Sequence, residues 1–275
     1  MISSESHGAW SGSTKPAWLR VPPAAISFAI LLGAWEFAVR AGWISDFLFP
    51  PPSSLVAAIT ELGTRGFPDG ISLWRHVSVT LARIGAGFSI ACATAIPLGI
   101  VFGMSPILDR LTHPVITFGR SLAAISVLPL FIAWFGIGEL SKIMLLALAA
   151  FWVLVTYTIA GVKFVDPVLI RAARSMDATD RTVLLRVVLP AALPRIFTGL
   201  KVALAVCFMV IVAAEMIATV EGLGALIKEA RNAFRTDITI VGMLVIGALG
   251  GATSLMLDAL ERRLLPWQRA SGESS

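Results

Sequence analysis

Apolar stretches near the roughly 20 residues that cross the hydrocarbon core of a bilayer recur along this 275-residue chain. They fall at residues 21–39, 77–102, 113–135, 140–162, 196–218 and 238–257. Few folds survive that pattern. Only 14% of the residues are charged, against about 25% in an average soluble domain, and 57% are hydrophobic. With a mean hydropathy of +0.85 the chain has too little polar surface to stay in water. A soluble enzyme, a disordered tail and a secreted disulfide scaffold are excluded. The reading is an all-α polytopic membrane protein of about six transmembrane helices.

The net charge of +5 could suggest a nucleic-acid partner, but the placement of the cations argues otherwise. Lys163, Arg171, Arg174, Arg181, Arg186, Arg195 and Lys201 crowd the connection between the fourth and fifth stretches, against Asp166, Asp177 and Asp180. Arg262, Arg263 and Arg269 follow the sixth stretch, and Lys15 and Arg20 precede the first. The other loops mix signs, as in Asp46, Glu61, Arg65, Asp69 and Arg75. Basic loops stay in the cytoplasm, so both termini and the long fourth-to-fifth loop are assigned there, with no nucleic-acid role.

Residues 1–20 read as a polar tail, 21–265 as the membrane domain with its loop at about 163–195, and 266–275 as a second tail. The first stretch is too long for a signal-peptide core and is taken as a retained anchor, with Glu36 and Arg40 spaced to pair. Phe49-Pro50-Pro51-Pro52-Ser53 breaks any helix, after which Ser53 or Ser54 caps a short helix over 55–62. Cys92 and Cys207 stand alone in apolar runs without a metal or redox pattern. Gly99/Gly103 and Gly247/Gly251 have the spacing of close helix packing.

The long loop is the most informative segment. Asp166-Pro167 starts a helix, with Leu169, Ala172, Ala173 and Met176 on one face and Arg171 and Arg174 elsewhere. Asp177-Ala178-Thr179 interrupts it, and Thr179 or Asp180 caps a second helix that Leu189-Pro190 and Pro194 end. Such a pair fits either a groove on another protein or the surface of the bilayer.

The loop resembles the coupling loop of ABC importer permeases, whose pattern is E-A-A, three residues, G, then nine or so residues and I-x-L-P. Ala172-Ala173 match the A-A pair, and Val187-Val188-Leu189-Pro190 the closing motif; Arg171 replaces the glutamate and Asp177 the glycine. The glycine position is one where φ turns positive, which Asp tolerates better than most residues. Further stretches, FPPPSSLV, AWFGIGELSKI, LPAALPRIFTGLKVAL, AAEMIA and ERRLLPW, are similar to the nitrate, taurine and aliphatic-sulfonate branch. One departure is Arg120-Ser121-Leu122-Ala123-Ala124, where the branch commonly has R-P-I-P-P.

The resemblance implies a type I ABC importer permease fold in a bacterial cytoplasmic (inner) membrane. It implies a homodimer, two ATPase subunits, and a periplasmic or lipid-tethered binding protein. Leu169, Arg171, Ala172, Ala173, Met176, Asp177, Leu189 and Pro190 would couple to the ATPase. The chain has no phosphate-binding G-x-x-x-x-G-K-[ST] loop, so ATP and Mg belong to the partner, with no cofactor here and no catalytic residue or metal ligand assigned. The cargo implied is a small anion, taurine or an aliphatic sulfonate, with nitrate, bicarbonate or an aromatic or heterocyclic nutrient as alternatives. A stand-alone secondary transporter is the rival, disfavoured by the docking loop and the lack of an inverted repeat.

Arg83, Arg120 and Glu215 lie inside apolar stretches, where a central charge costs about 2.5–3.5 kcal/mol on insertion. Each either lines a polar translocation path, snorkels to a lipid headgroup or closes a structural ion pair such as Arg–Glu.

Overall fold

The computed structural model describes residues 23–266. The two tails, with Lys15, Arg20 and Arg269, and the first two residues of the first apolar stretch lie outside the described residues. The described chain is helical and has no strand: α1 (Pro23–Arg40), α2 (Pro52–Thr64), α3 (Leu73–Met104), α4 (Pro106–Ser121), α5 (Leu128–Phe135), α6 (Glu139–Lys163), α7 (Pro167–Ser175), α8 (Asp180–Val183), α9 (Leu189–Ala218), α10 (Leu223–Asn232) and α11 (Thr236–Leu264). It forms two compact units, Met1–Ser54 and Leu55–Ser275.

In the first unit Glu36 and Arg40 pair at 2.6 Å as their spacing predicts. Glu36 also accepts from the Ser53 backbone N–H at 3.1 Å and the Ser53 hydroxyl at 2.9 Å. The short helix therefore starts earlier than expected, at Pro52, and a distant glutamate rather than Ser53 or Ser54 satisfies its first turn.

In the second unit α3, α6, the continuous run Asp180–Ile217 and α11 are long and apolar enough to cross a membrane. The expected third stretch is not one straight helix. α4 and the segment Ala124–Phe135 meet at 88°, so together they make at most one broken span. Leu122 and Ala123 adopt extended conformations there, and Pro129 is held in the first turn of α5, where its missing N–H is not needed.

A second correction concerns Pro190 and Pro194, which do not end the loop's second helix. Residues Leu184–Val188 form a wide π turn in which the Leu189 N–H reaches back to the Leu184 carbonyl. Pro190 then falls in the first turn of α9, and the helix runs on through Pro194.

The core is the seam of α3, α6 and α9, built from Ile84, Ala91 and Ala95 against Leu146, Leu154 and Val155 and against Ala203, Cys207 and Ile211. Hydrocarbon surroundings supply little hydrophobic drive between helices, so close contact must do the work. A Cβ on Gly99 would come 2.6 Å from that of Thr158, and one on Gly103 2.8 Å from that of Val162. The first glycine pair thus marks a helix contact. Gly247 and Gly251 meet nothing within 4 Å, so the second marks none among the described residues.

Candidate functional site

The three embedded charges separate into two places. On α3, His76, Thr80 and Arg83 recur at helical spacing on one face, and all three are buried. Arg83, 3% exposed, donates from Nε and Nη2 to Glu139 at 2.5 and 2.6 Å, and from Nη1 to Glu215 at 2.7 Å and the Glu221 carbonyl at 2.8 Å. Glu215 is fully buried and also accepts from the Thr80 hydroxyl at 2.9 Å and the Gly224 N–H at 2.9 Å. Thr80 in turn accepts from Leu223 N–H at 2.9 Å, while the His76 ring bonds to Gly222 and to the Phe67 carbonyl.

The loop after α9 is shaped to meet this carboxylate. Gly222 has φ +118°, and a Cβ there would collide with the Glu215 carboxylate. A Cβ on Gly224 would come 2.5 Å from the Val212 carbonyl. The result ties α3, α6, α9 and the start of α10 into one ion-paired junction. Lys142 is buried beside it, 3.7 Å from Glu139. Glu215 is thus taken by Arg83, not by Arg120. The paired roles of His76, Thr80, Glu139, Gly222 and Gly224 were not deduced from sequence, although the polar stripe 76/80/83 on an otherwise apolar helix is a signal for it.

Arg120 is placed differently. It is exposed at the end of α4, beside the 88° bend, and makes no ion pair or side-chain hydrogen bond among the described residues. It borders a cavity of about 310 Å³ between α4, α6 and α9, walled by Leu148, Trp152, Val206 and Val210. The Ser121 hydroxyl donates to the Thr117 carbonyl at 2.9 Å, and Ser126 donates to the Ala123 carbonyl at 2.7 Å.

The loop between α6 and α9 has the expected caps. Asp166 accepts from the Val168 N–H at 2.8 Å and starts α7; Thr179 accepts from the Thr182 N–H at 3.3 Å and starts α8. Asp177 has φ +57°, the left-handed conformation its motif position calls for. Lys163 is fixed to Asp109 of α4 at 2.5 Å, and the Arg195 guanidinium lies 3.6 Å over the Phe164 ring.

The expected single face of α7 is split. Ala173 is 6% exposed, packed with Val162, Val165, Val183, Val188 and Ile196 of its own chain. Met176, at 77%, is open, as are Leu169, Arg171, Ala172 and Asp177. Ala173 is therefore unavailable to a groove on another protein, because the returning α8–α9 segment covers it. Leu189 and Pro190 are half-buried in the turn that starts α9.

Comparison with known proteins agrees with this arrangement. Residues 95–269 match the family described as binding-protein-dependent transport system inner membrane component. The chain is 40% identical over 242 residues to the taurine transport system permease protein TauC of Escherichia coli, covering 88% of each. It is 32% identical to the putative aliphatic sulfonates transport permease protein SsuC of the same species, covering 92% of this chain and 94% of that one. A chain of the MetNI methionine ABC transporter, in inward-facing conformations, superposes with a TM-score of 0.63 at 20% identity, over 70% of this chain and 95% of that one, which shows the type I importer fold. These matches place the chain in the family of binding-protein-dependent inner-membrane components, as the permease subunit of an ABC importer, without enzymatic activity of its own.

Proposed function

We propose that this permease imports a small organic anion of the taurine and aliphatic-sulfonate kind, as a homodimer with two ATPase subunits and a substrate-binding protein. The similarity to taurine and sulfonate permeases supports the substrate class. The observation that carries the anion reading is Arg120, a guanidinium with no partner among the described residues, at a helix break inside an apolar stretch. A charge left without a partner there is costly unless a counter-ion visits it. Arg83 and Glu215 satisfy each other and serve the junction of the helices, not the path.

The topology we propose has six spans, with α1 as the first and both termini in the cytoplasm. The α6–α9 loop then lies on the cytoplasmic side, where Leu169, Ala172 and Met176, flanked by Arg171 and the Asp177 turn, form the face that docks on the ATPase. Ala173, Leu189 and Pro190 hold that face from behind. Closure of the ATPase pair on ATP draws the two loops together and rocks the bundles to open the path outward; hydrolysis resets them.

The test is uptake into proteoliposomes containing the permease, its ATPase and the binding protein. ATP-dependent accumulation of a sulfonate supports the reading. Accumulation of nitrate alone would transfer it to the inorganic anion, and accumulation without ATPase would make the chain a secondary transporter. Single cysteines at Thr179 and Asp69 in intact cells should label from the inside and the outside respectively.

A further inference from the structure

The cavity at Arg120 has a chemistry of its own. Arg120, whose guanidinium has no partner among the described residues, borders it; no other lining residue carries a charge, and the walls include Leu148, Trp152, Val206 and Val210. No carboxylate lines it. The two nearby hydroxyls are no substitute, since Ser121 and Ser126 each spend their proton on a backbone carbonyl one turn back. The indole of Trp152 reaches the wall because residue 119 is glycine; any Cβ there would run into the ring.

We propose that this cavity is a resting site for an organic monoanion with an apolar body, and that Trp152 and Val206 set specificity by holding that body while Arg120 holds the head group. The inference rests on the anion-import reading above and narrows it. An inorganic oxyanion such as nitrate presents acceptors on every side, and all but the side facing Arg120 would lose their water to hydrocarbon. An aminosulfonate would bring an ammonium into a pocket that has no carboxylate to receive it. An alkane- or arenesulfonate meets both requirements: one charge for one cation, and methylenes or a ring for the apolar wall.

The experiment is direct binding to the purified permease–ATPase complex in lipid nanodiscs, by calorimetry, without the binding protein. The probes are nitrate, taurine, and methane-, propane- and butanesulfonate. Affinity should rise about fourfold for each methylene that enters the cavity, with taurine and nitrate weaker than propanesulfonate. Val206→Thr, which keeps the side-chain volume and adds a hydroxyl, should flatten the chain-length dependence; Trp152→Leu should do so as well. Arg120→Gln should weaken every sulfonate. Nitrate or taurine binding as tightly as butanesulfonate would overturn the proposal. So would a chain-length dependence unchanged in both wall variants, since that is the signature of partition into lipid. Should the binding series hold while uptake of every sulfonate fails, the pocket stands and the import reading is the one that falls.

Discussion

Arg83 and Arg120 are both guanidinium groups carried on helices of an inner-membrane protein, and their surroundings are opposite. Arg83 makes four hydrogen bonds, to two carboxylates and a carbonyl, and is closed to solvent. Arg120 makes none among the described residues and stands at a break between two helix segments. A buried charge whose partners come from its own chain locks geometry. On our proposal, a charge at a cavity with no partner among the described residues is left for an anion that arrives from outside. Ionisable residues in apolar segments therefore divide by what satisfies them, not by where they fall along the span.

The largest effect should come from removing the partner of the satisfied arginine. Glu215→Ala leaves Arg83 with Glu139 as its one carboxylate, beside the Glu221 carbonyl, and orphans the Thr80 hydroxyl and the Gly224 N–H, and breaking such a pair costs about 3–5 kcal/mol. Thermal unfolding of the purified permease should show a large drop in midpoint; a wild-type midpoint would erase the distinction between the two arginines. Next comes the same contrast in the α6–α9 loop. Ala173→Asp puts a carboxylate into the loop's own core and should destabilise it by about 1–3 kcal/mol or more, while Met176→Asp should leave the midpoint unchanged and weaken co-purification of the ATPase. If Ala173→Asp is as stable as Met176→Asp, the loop does not cover that residue.

Smaller still is the turn. Asp177 holds a left-handed conformation that glycine adopts freely, so Asp177→Gly should be neutral or stabilising by up to about 1 kcal/mol and Asp177→Val destabilising by a similar amount. The midpoint of Asp177→Gly should lie at or above that of wild type, and that of Asp177→Val below it.

The smallest effect belongs to an intermediate case. Arg235 grips Glu61 at 2.7 and 3.2 Å and Asp237 at 2.9 Å, with the Glu61 and Arg235 side chains each about one third exposed. The hydrogen bonds from Arg235 hold the Glu61 carboxyl below the usual carboxylate range, and the bonds that Arg235 donates to Asp237 and Glu61 raise its own pKa. A folded-state pKa below the unfolded value means the stabilisation is present above the ordinary glutamate pKa and lost as pH falls through the folded one. Water screens the pair, so the loss should stay under about 1 kcal/mol. It should appear only below about pH 4.3, and Glu61→Gln should remove that part of the acid sensitivity.

Much of the architecture was legible because a bilayer demands long apolar runs, and α3, α6, the run into α9, and α11 follow them closely. The break at 122–123 was not legible: Leu122, Ala123 and Ala124 include neither proline nor glycine, and only Pro129 hints that a helix restarts. Pro190 and Pro194 misled in the opposite direction, since the π turn ahead of them lets the helix pass. In α7 the apolar spacing was read correctly, but spacing does not say whether a face is covered by the chain itself or by another protein. Asp177 was readable because its motif position carries a backbone requirement. The Arg83–Glu215 pair joins residues 132 positions apart, a tertiary fact that no local pattern reports.

The most direct test sets the two arginines side by side, measuring the thermal midpoint and ATP-dependent sulfonate uptake of Arg83→Gln and Arg120→Gln in the complete reconstituted importer. Arg120→Gln should keep its midpoint and its ATPase partner while losing at least about tenfold in uptake, the equivalent of roughly 1.4 kcal/mol, with Arg120→Lys recovering part of it. Arg83→Gln should lose the fold before any transport can be measured. Normal uptake by Arg120→Gln, or a stable and assembled Arg83→Gln, would contradict the division of labour drawn here.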